Sequence, residues 1–228
     1  MTSITRERAH TFERIVAKML ASSLPAITDL LYPRKVTGSE SIDFDAAAVF
    51  AFRHGTWVDF LHATGFFRSC EKPIMIPAME RVFENQFIGS LLAAYGAVPI
   101  KRPQDEGYHV NSAAVIGQGR AFTQFLKQGG WYAYAPEGTS IPDRVGDKLQ
   151  VHPLILGAKY GRAYIVGTVY HRHPPWLPGE VTLNIQRYSA DGKSRADIAA
   201  EVRLIMEDLS GLEHRVQIAA ALSPRNNR

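Results

Sequence analysis

His54 and Asp59 enclose Gly55-Thr56-Trp57-Val58, directly behind an apolar run over residues 46–52. A neutral imidazole at the end of such a run can take a proton from an attacking hydroxyl. A carboxylate one helical turn further on can hold the other ring nitrogen and stabilise the imidazolium. The pair alone is weak, because a surface His near a helix-start Asp arises often by chance. Its reading depends on what other residues reach the same place.

Two further polar clusters follow apolar runs. Lys101 and Arg102 close the run 97–100, and two cations there can hold a phosphate, Arg through a planar fork and Lys as a point charge. Glu137-Gly138-Thr139-Ser140 follows the run 131–135. Gly138 permits a tight turn whose amides can meet an anion. Glu137 can accept a hydrogen bond from a hydroxyl or fix an arginine. The plain alternative for each cluster is a solvated turn. Cys70, the only cysteine, is a weaker nucleophile candidate, with Arg68 and Lys72 as its nearby cations.

The elements that must position these groups read as alternating strands and helices. Strands are expected over 46–53, 73–77, 97–100, 131–135, 163–170 and 180–188. Helices are expected over 58–69, 87–95, from a cap at Asn111 to 127, over 152–160, and over 194–209. The helix to 127 should bury Val115, Ala121, Phe122, Phe125 and Leu126. The alternation predicts one α/β domain with a mixed, largely parallel central sheet flanked by helices. Sites in such sheets lie at the carboxyl ends of strands, so all three clusters can share one cleft. Residues 5–24 read as a basic amphipathic helix with Phe12, Ile15, Val16, Met19 and Leu20 on one face; Pro25 breaks it, and a helical turn follows to residue 31. That segment either docks on its own domain, lies at a lipid interface, or does both.

In order and context the three clusters resemble the lysophospholipid and glycerol-phosphate acyltransferase family, which carries a His-x4-Asp motif. His54 and Asp59 resemble its first block, residues 96–102 its second, and Ala135-Pro136-Glu137-Gly138-Thr139-Ser140 its third; residues 164–168 stand where a fourth belongs. The likeness covers roughly residues 40–210. With it the chain divides into an N-terminal amphipathic helical segment 1–38, an acyltransferase domain 39–215 and a tail 216–228, whose last residues, 223–228, are expected to be disordered. The likeness also implies transfer of a fatty acyl group from a thioester of coenzyme A or acyl carrier protein to a hydroxyl of a lysophospholipid or glycerol-phosphate-type acceptor. His54 would be the general base oriented by Asp59. Lys101, Arg102, Glu137, Gly138 and Thr139 would hold the acceptor head, and backbone amides over residues 55–57 would meet the oxyanion. No metal or cofactor is implied beyond the thioester substrate. The family commonly has Asn or Ser where Arg53 stands, Arg where Ser140 stands, and Pro where Gly167 stands. Those departures leave an aminolipid or glycolipid acceptor, or a non-catalytic lipid-binding protein, as the alternatives.

Composition agrees with an ordinary globular protein: 46% hydrophobic, 21% charged, net charge +4. Mild basicity suits an anionic substrate or membrane surface. The basic residues are scattered and match no nucleic-acid reader motif, so no nucleic-acid partner is expected. One cysteine forbids an intrachain disulfide and fits a reducing compartment. The first residues show no apolar signal core, and windows of about twenty residues all hold several charges. The expected location is cytoplasmic, peripheral on the cytoplasmic membrane face through residues 5–31.

Overall fold

In the computed structural model, the structure describes residues 15, 16, 19, 20, 22–24, 26, 27, 29, 30, 32–102, 109, 112–139, 141, 144–171 and 179–212; of residues 57 and 58 it describes the backbone alone. The expected start of the N-terminal helix, Ser140 and the tail lie outside these residues. The sheet is built from β1 (Arg34–Thr37), β2 (Ala48–Phe52), β3 (Ile74–Met79), β4 (Ala97–Ile100), β5 (Trp131–Tyr134), β6 (Arg162–His171) and β7 (Glu180–Tyr188). The helices are α1 (Trp57–Ser69), α2 (Gln86–Ala94), α3 (Ala113–Lys127), α4 (His152–Tyr160) and α5 (Arg195–Leu209). A short 3-10 turn, Glu80–Glu84, joins β3 to α2.

The strands form one sheet in the order β1-β7-β6-β2-β5-β3-β4. From β6 through β2, β5 and β3 to β4 every pairing is parallel. β7 joins β6 antiparallel, and β1 pairs parallel with β7 at the edge of the sheet, so these two strands run against the rest. The expected mixed, largely parallel sheet is therefore present. β1 is an addition to it. Four residues with Lys35 exposed carry too little apolar alternation to announce a strand.

β2 is buried on both faces, which is why it reads as a continuous apolar run. Ala48, Phe50 and Phe52 pack with Ala63, Phe66 and Phe67 of α1. Val49 and Ala51 face the opposite layer, where α3 supplies Phe122 and Leu126, α4 Leu154, and α5 Ile198, Val202 and Met206. The Phe50 ring lies 4.9 Å from both Phe67 and Trp131 and stacks on Tyr164 at 5.0 Å. Each such fully buried aromatic contributes about 1.5–3 kcal/mol by burial. The Trp131 indole N–H donates to the Ala46 carbonyl at 3.1 Å, so its polar edge is satisfied inside the core. This packing fixes where β2 ends and the His54 turn begins.

Two local expectations change. Ser112, not Asn111, caps α3, accepting the Val115 N–H at 3.3 Å, and residue 111 is outside the described set. The apolar face of α3 is narrower than expected: Phe122 and Leu126 are buried, whereas Ala121 is exposed. The described residues between 15 and 30 are helical. They dock on the domain, because the Arg34 guanidinium bridges Asp29 (2.9 Å) and the carbonyl of His62 on α1 (2.7 Å). Ile15, Met19, Ile27 and Leu30 nevertheless stay exposed, Leu30 at 78%. Among the described residues no helix is long and apolar enough to cross a membrane.

Candidate active site

The carboxyl ends of β2, β3, β4, β5 and β6 lie along one edge because those strands are parallel. The turn after β2 carries His54, the residues after β4 carry Lys101 and Arg102, and the turn after β5 carries Glu137 and Gly138. Hydrogen bonds join these segments directly. The Ile141 N–H donates to the His54 carbonyl at 3.0 Å. The Arg53 guanidinium donates to the Ile141 carbonyl at 2.9 Å, while its backbone N–H continues the ladder to Val166 of β6. Arg53 is only 5% exposed. It is thus a buried brace between the first and third segments.

His54 is half-buried, and burial pulls its imidazole below the ordinary histidine pKa. The Asp59 carboxylate and the Thr56 backbone pull it back up, and Arg53 adds to the lowering. The ring is therefore neutral at physiological pH, the form a base requires. Asp59 is 1% exposed and makes two bonds of its own. Its Oδ2 accepts the Thr56 N–H at 2.6 Å, the reciprocal arm of a capping box that starts α1. Its Oδ1 accepts the Tyr170 hydroxyl at 2.5 Å. Among the described residues His54 Nδ1 has no hydrogen-bond partner. The expected direct hold of Asp59 on the ring is thus absent from this arrangement, and the carboxylate acts on His54 through space. The Thr56 amide, expected at the oxyanion, is already committed to Asp59.

The third segment is an anchor as much as a surface. Glu137 is 9% exposed. Its Oε2 accepts the His54 backbone N–H and its Oε1 the Gly146 N–H, both at 3.1 Å. Burial raises its pKa above the usual carboxyl value; those two N–H groups and Arg53 pull it down, and Asp59 pushes it up. Glu137 therefore spends its described bonds on the backbone of the site. Gly138 turns with φ 66°, a left-handed conformation that a glycine adopts without strain. Its carbonyl accepts Arg102 Nη1 at 3.1 Å, and Arg102 Nη2 reaches Met79 Sδ at the end of β3 at 2.8 Å. Arg102, Glu137, Gly138, His54 and Asp59 are brought together. Thr139 is exposed at the rim of the same turn. Lys101 is turned aside, pairing loosely with Glu80 at 3.8 Å.

Some groups at this edge escape a reading by motif. Tyr170, near the end of β6, bonds Asp59 across 111 positions of sequence. His62 is 1% exposed, and neither ring nitrogen has a partner among the described residues. Burial and Arg34 keep it neutral by lowering its pKa. Its ring lies 6.1 Å from Tyr170 and 6.3 Å from Tyr32. The spacing of Asp59 and His62, three apart on a helix, puts both on one face, and that was the available signal. Cys70 is not poised for chemistry: burial raises its thiol pKa and the S–H points to the Phe66 carbonyl at 3.3 Å. Among the described residues no group of three or more His, Cys, Asp or Glu side chains could hold a metal ion.

No curated protein sequence matches the chain. Among solved structures, the chain is similar to the 1-acyl-sn-glycerophosphate (LPA) acyltransferase PlsC from Thermotoga maritima, with 20% identity, 92% of this chain and 82% of that chain covered, and a TM-score of 0.58. That likeness carries the fold. A family model described as Acyltransferase matches residues 33–166, a span of more than half the chain that includes His54, Asp59, Arg102 and Glu137. By that match the chain belongs to the acyltransferase family.

Proposed function

We propose that this acyltransferase moves a fatty acyl group from a thioester of coenzyme A or acyl carrier protein to a hydroxyl of a lysophospholipid or glycerol-phosphate-type acceptor. The observation that carries the reading is His54 itself. It is neutral, half-buried and fixed through its backbone by Glu137, beside the buried Asp59 carboxylate. His54 takes the proton from the acceptor hydroxyl as that oxygen attacks the thioester carbonyl. A C–O bond forms, the C–S bond breaks, and the proton passes from the imidazolium to the departing thiolate. Asp59 stabilises the transient imidazolium through space. Arg102, held against the Gly138 carbonyl, would meet a phosphate on the acceptor.

The exposed Ile15, Met19, Ile27 and Leu30 support peripheral contact with a lipid surface, from which a lysophospholipid acceptor would enter. A cytoplasmic site on the inner membrane face fits that arrangement and the single cysteine. The test is a thiol-release assay with palmitoyl-coenzyme A against a panel of lyso-lipids, phosphorylated and not, for the wild type and His54→Ala. His54→Ala should lose transfer by about 10²-fold or more with the fold intact. Near wild-type transfer by that variant would defeat the assignment. A preference for aminolipid or glycolipid acceptors would retain the chemistry and replace the acceptor.

A further inference from the structure

Tyr170 sits at the carboxyl end of β6, on the edge where the catalytic segments meet. Its hydroxyl is 2.5 Å from Asp59 Oδ1 and 3.5 Å from Thr56 Oγ1. Asp59 Oδ2 is held separately by the Thr56 N–H. One bond alone leaves a carboxylate free to turn about its Cβ–Cγ axis. Two bonds from different elements, one on each oxygen, fix its plane. The Tyr170 ring is itself braced edge-on against His62, which is fully buried in α1. Burial and the facing Asp59 charge drive the phenol pKa upward, so the group remains a donor across the working range.

We propose that Tyr170 is a positioning residue for acyl transfer: its hydroxyl fixes the Asp59 carboxylate and thereby sets the orientation and field that His54 experiences. This rests on His54 being the base. The groups whose charge or dipole faces the His54–Asp59–Tyr170 set are Arg53 and Thr56 from the β2 turn, Glu137 from the β5 turn, and His62 from α1. With the hydroxyl in place, part of the Asp59 charge is directed to Tyr170. Without it, the carboxylate is freer to turn to His54 and its charge is less neutralised, so the imidazole holds its proton more tightly.

The test compares wild type, Tyr170→Phe, Asp59→Asn and the double variant in steady-state thiol release with palmitoyl-coenzyme A and lysophosphatidate, from pH 5 to 9. Tyr170→Phe keeps the ring and its packing on His62. It should lower kcat about tenfold with KM for both substrates within about twofold, a size set by losing one hydrogen bond to a charged group and transmitting part of it. The acid limb of kcat/KM should move to higher pH. In the Asp59→Asn background the same change should cost little further, because the partner is already gone. Wild-type kcat and an unmoved acid limb in Tyr170→Phe overturn the proposal. So does a full additional loss in the Asp59→Asn background, and so does collapse of the fold in Tyr170→Phe, which would make the residue structural. If His54→Ala is inactive while Tyr170→Phe behaves as wild type, the positioning role alone fails. If His54→Ala stays active, the base assignment fails with it.

Discussion

Glu137→Gln separates two roles for the third segment that a motif cannot distinguish. The structure gives Glu137 two inward bonds, to the His54 and Gly146 amides, each 3.1 Å. Glutamine keeps one acceptor oxygen and turns an NH2 toward the other amide. One hydrogen bond to a charged group, roughly 1.5–3 kcal/mol, is lost, and a buried donor is left unmatched at about 1–3 kcal/mol. Removing a carboxylate whose ionisation burial already opposes returns part of this. The net expectation is about 2–4 kcal/mol, and at about 2–4 °C per kcal/mol for a domain of this size the Tm falls roughly 4–16 °C. The sign of the pH dependence also follows. A folded pKa raised above the unfolded value, about 4.3, means that the native state holds that proton more tightly. Stability from this group is therefore full below the unfolded pKa and falls as pH rises through the folded one. Glutamine lacks that slope, so the deficit of Glu137→Gln is largest at the acid side of the window. The assay is thermal unfolding at several pH values, with kcat and acceptor KM measured well below the lowered Tm. Activity should fall in kcat, because the His54 backbone has lost its anchor. An unchanged Tm with an acceptor KM raised tenfold would refute the anchor and make Glu137 a substrate ligand.

Asp59→Asn removes the main influence that raises the His54 pKa, so the acid limb of kcat/KM should shift to lower pH while kcat falls by about 10²–10⁴. A pH–rate profile with an unmoved limb would show that the carboxylate exerts no field on the base. Arg102→Ala should raise KM for a phosphorylated acceptor about 10–100-fold, the worth of one charge-assisted contact, with a smaller change in kcat. Steady-state kinetics with phosphorylated and unphosphorylated acceptors check this, and an unchanged KM removes the phosphate-holding role.

The parts of this site that could be read from the chain are those in which chemistry and neighbourhood coincide. His54 and Asp59 lie within one turn of each other, and the strand before them is buried on both faces, so the apolar run and the polar stop announce the place. Arg102 and Gly138 each stand directly after a parallel strand, and parallel strands deliver their ends to one edge. What stayed hidden depends on direction or on distance along the chain. The type of Glu137 suggests a ligand, but only the fold shows both its oxygens turned inward. Lys101 and Arg102 are adjacent and look equivalent, yet successive residues diverge as a strand ends, so one reaches Gly138 and the other Glu80. Tyr170 meets Asp59 through strand order, which no local pattern encodes. β1 was invisible because its pairing to β7 supplies what its own four residues lack.

Arg53 and Gly55 occupy one volume. A Cβ placed on Gly55 would come within 2.5 Å of Arg53 Nη1 and 3.1 Å of its Cζ. The guanidinium cannot easily yield, since it is buried and holds the Ile141 carbonyl. Each position therefore constrains the other's inheritance. A side chain gained at 55 meets the end of the arginine, which must shift from its place against the Ile141 carbonyl to make room. The residue before the base and the residue after it therefore share one volume, and a change at either is felt by the other.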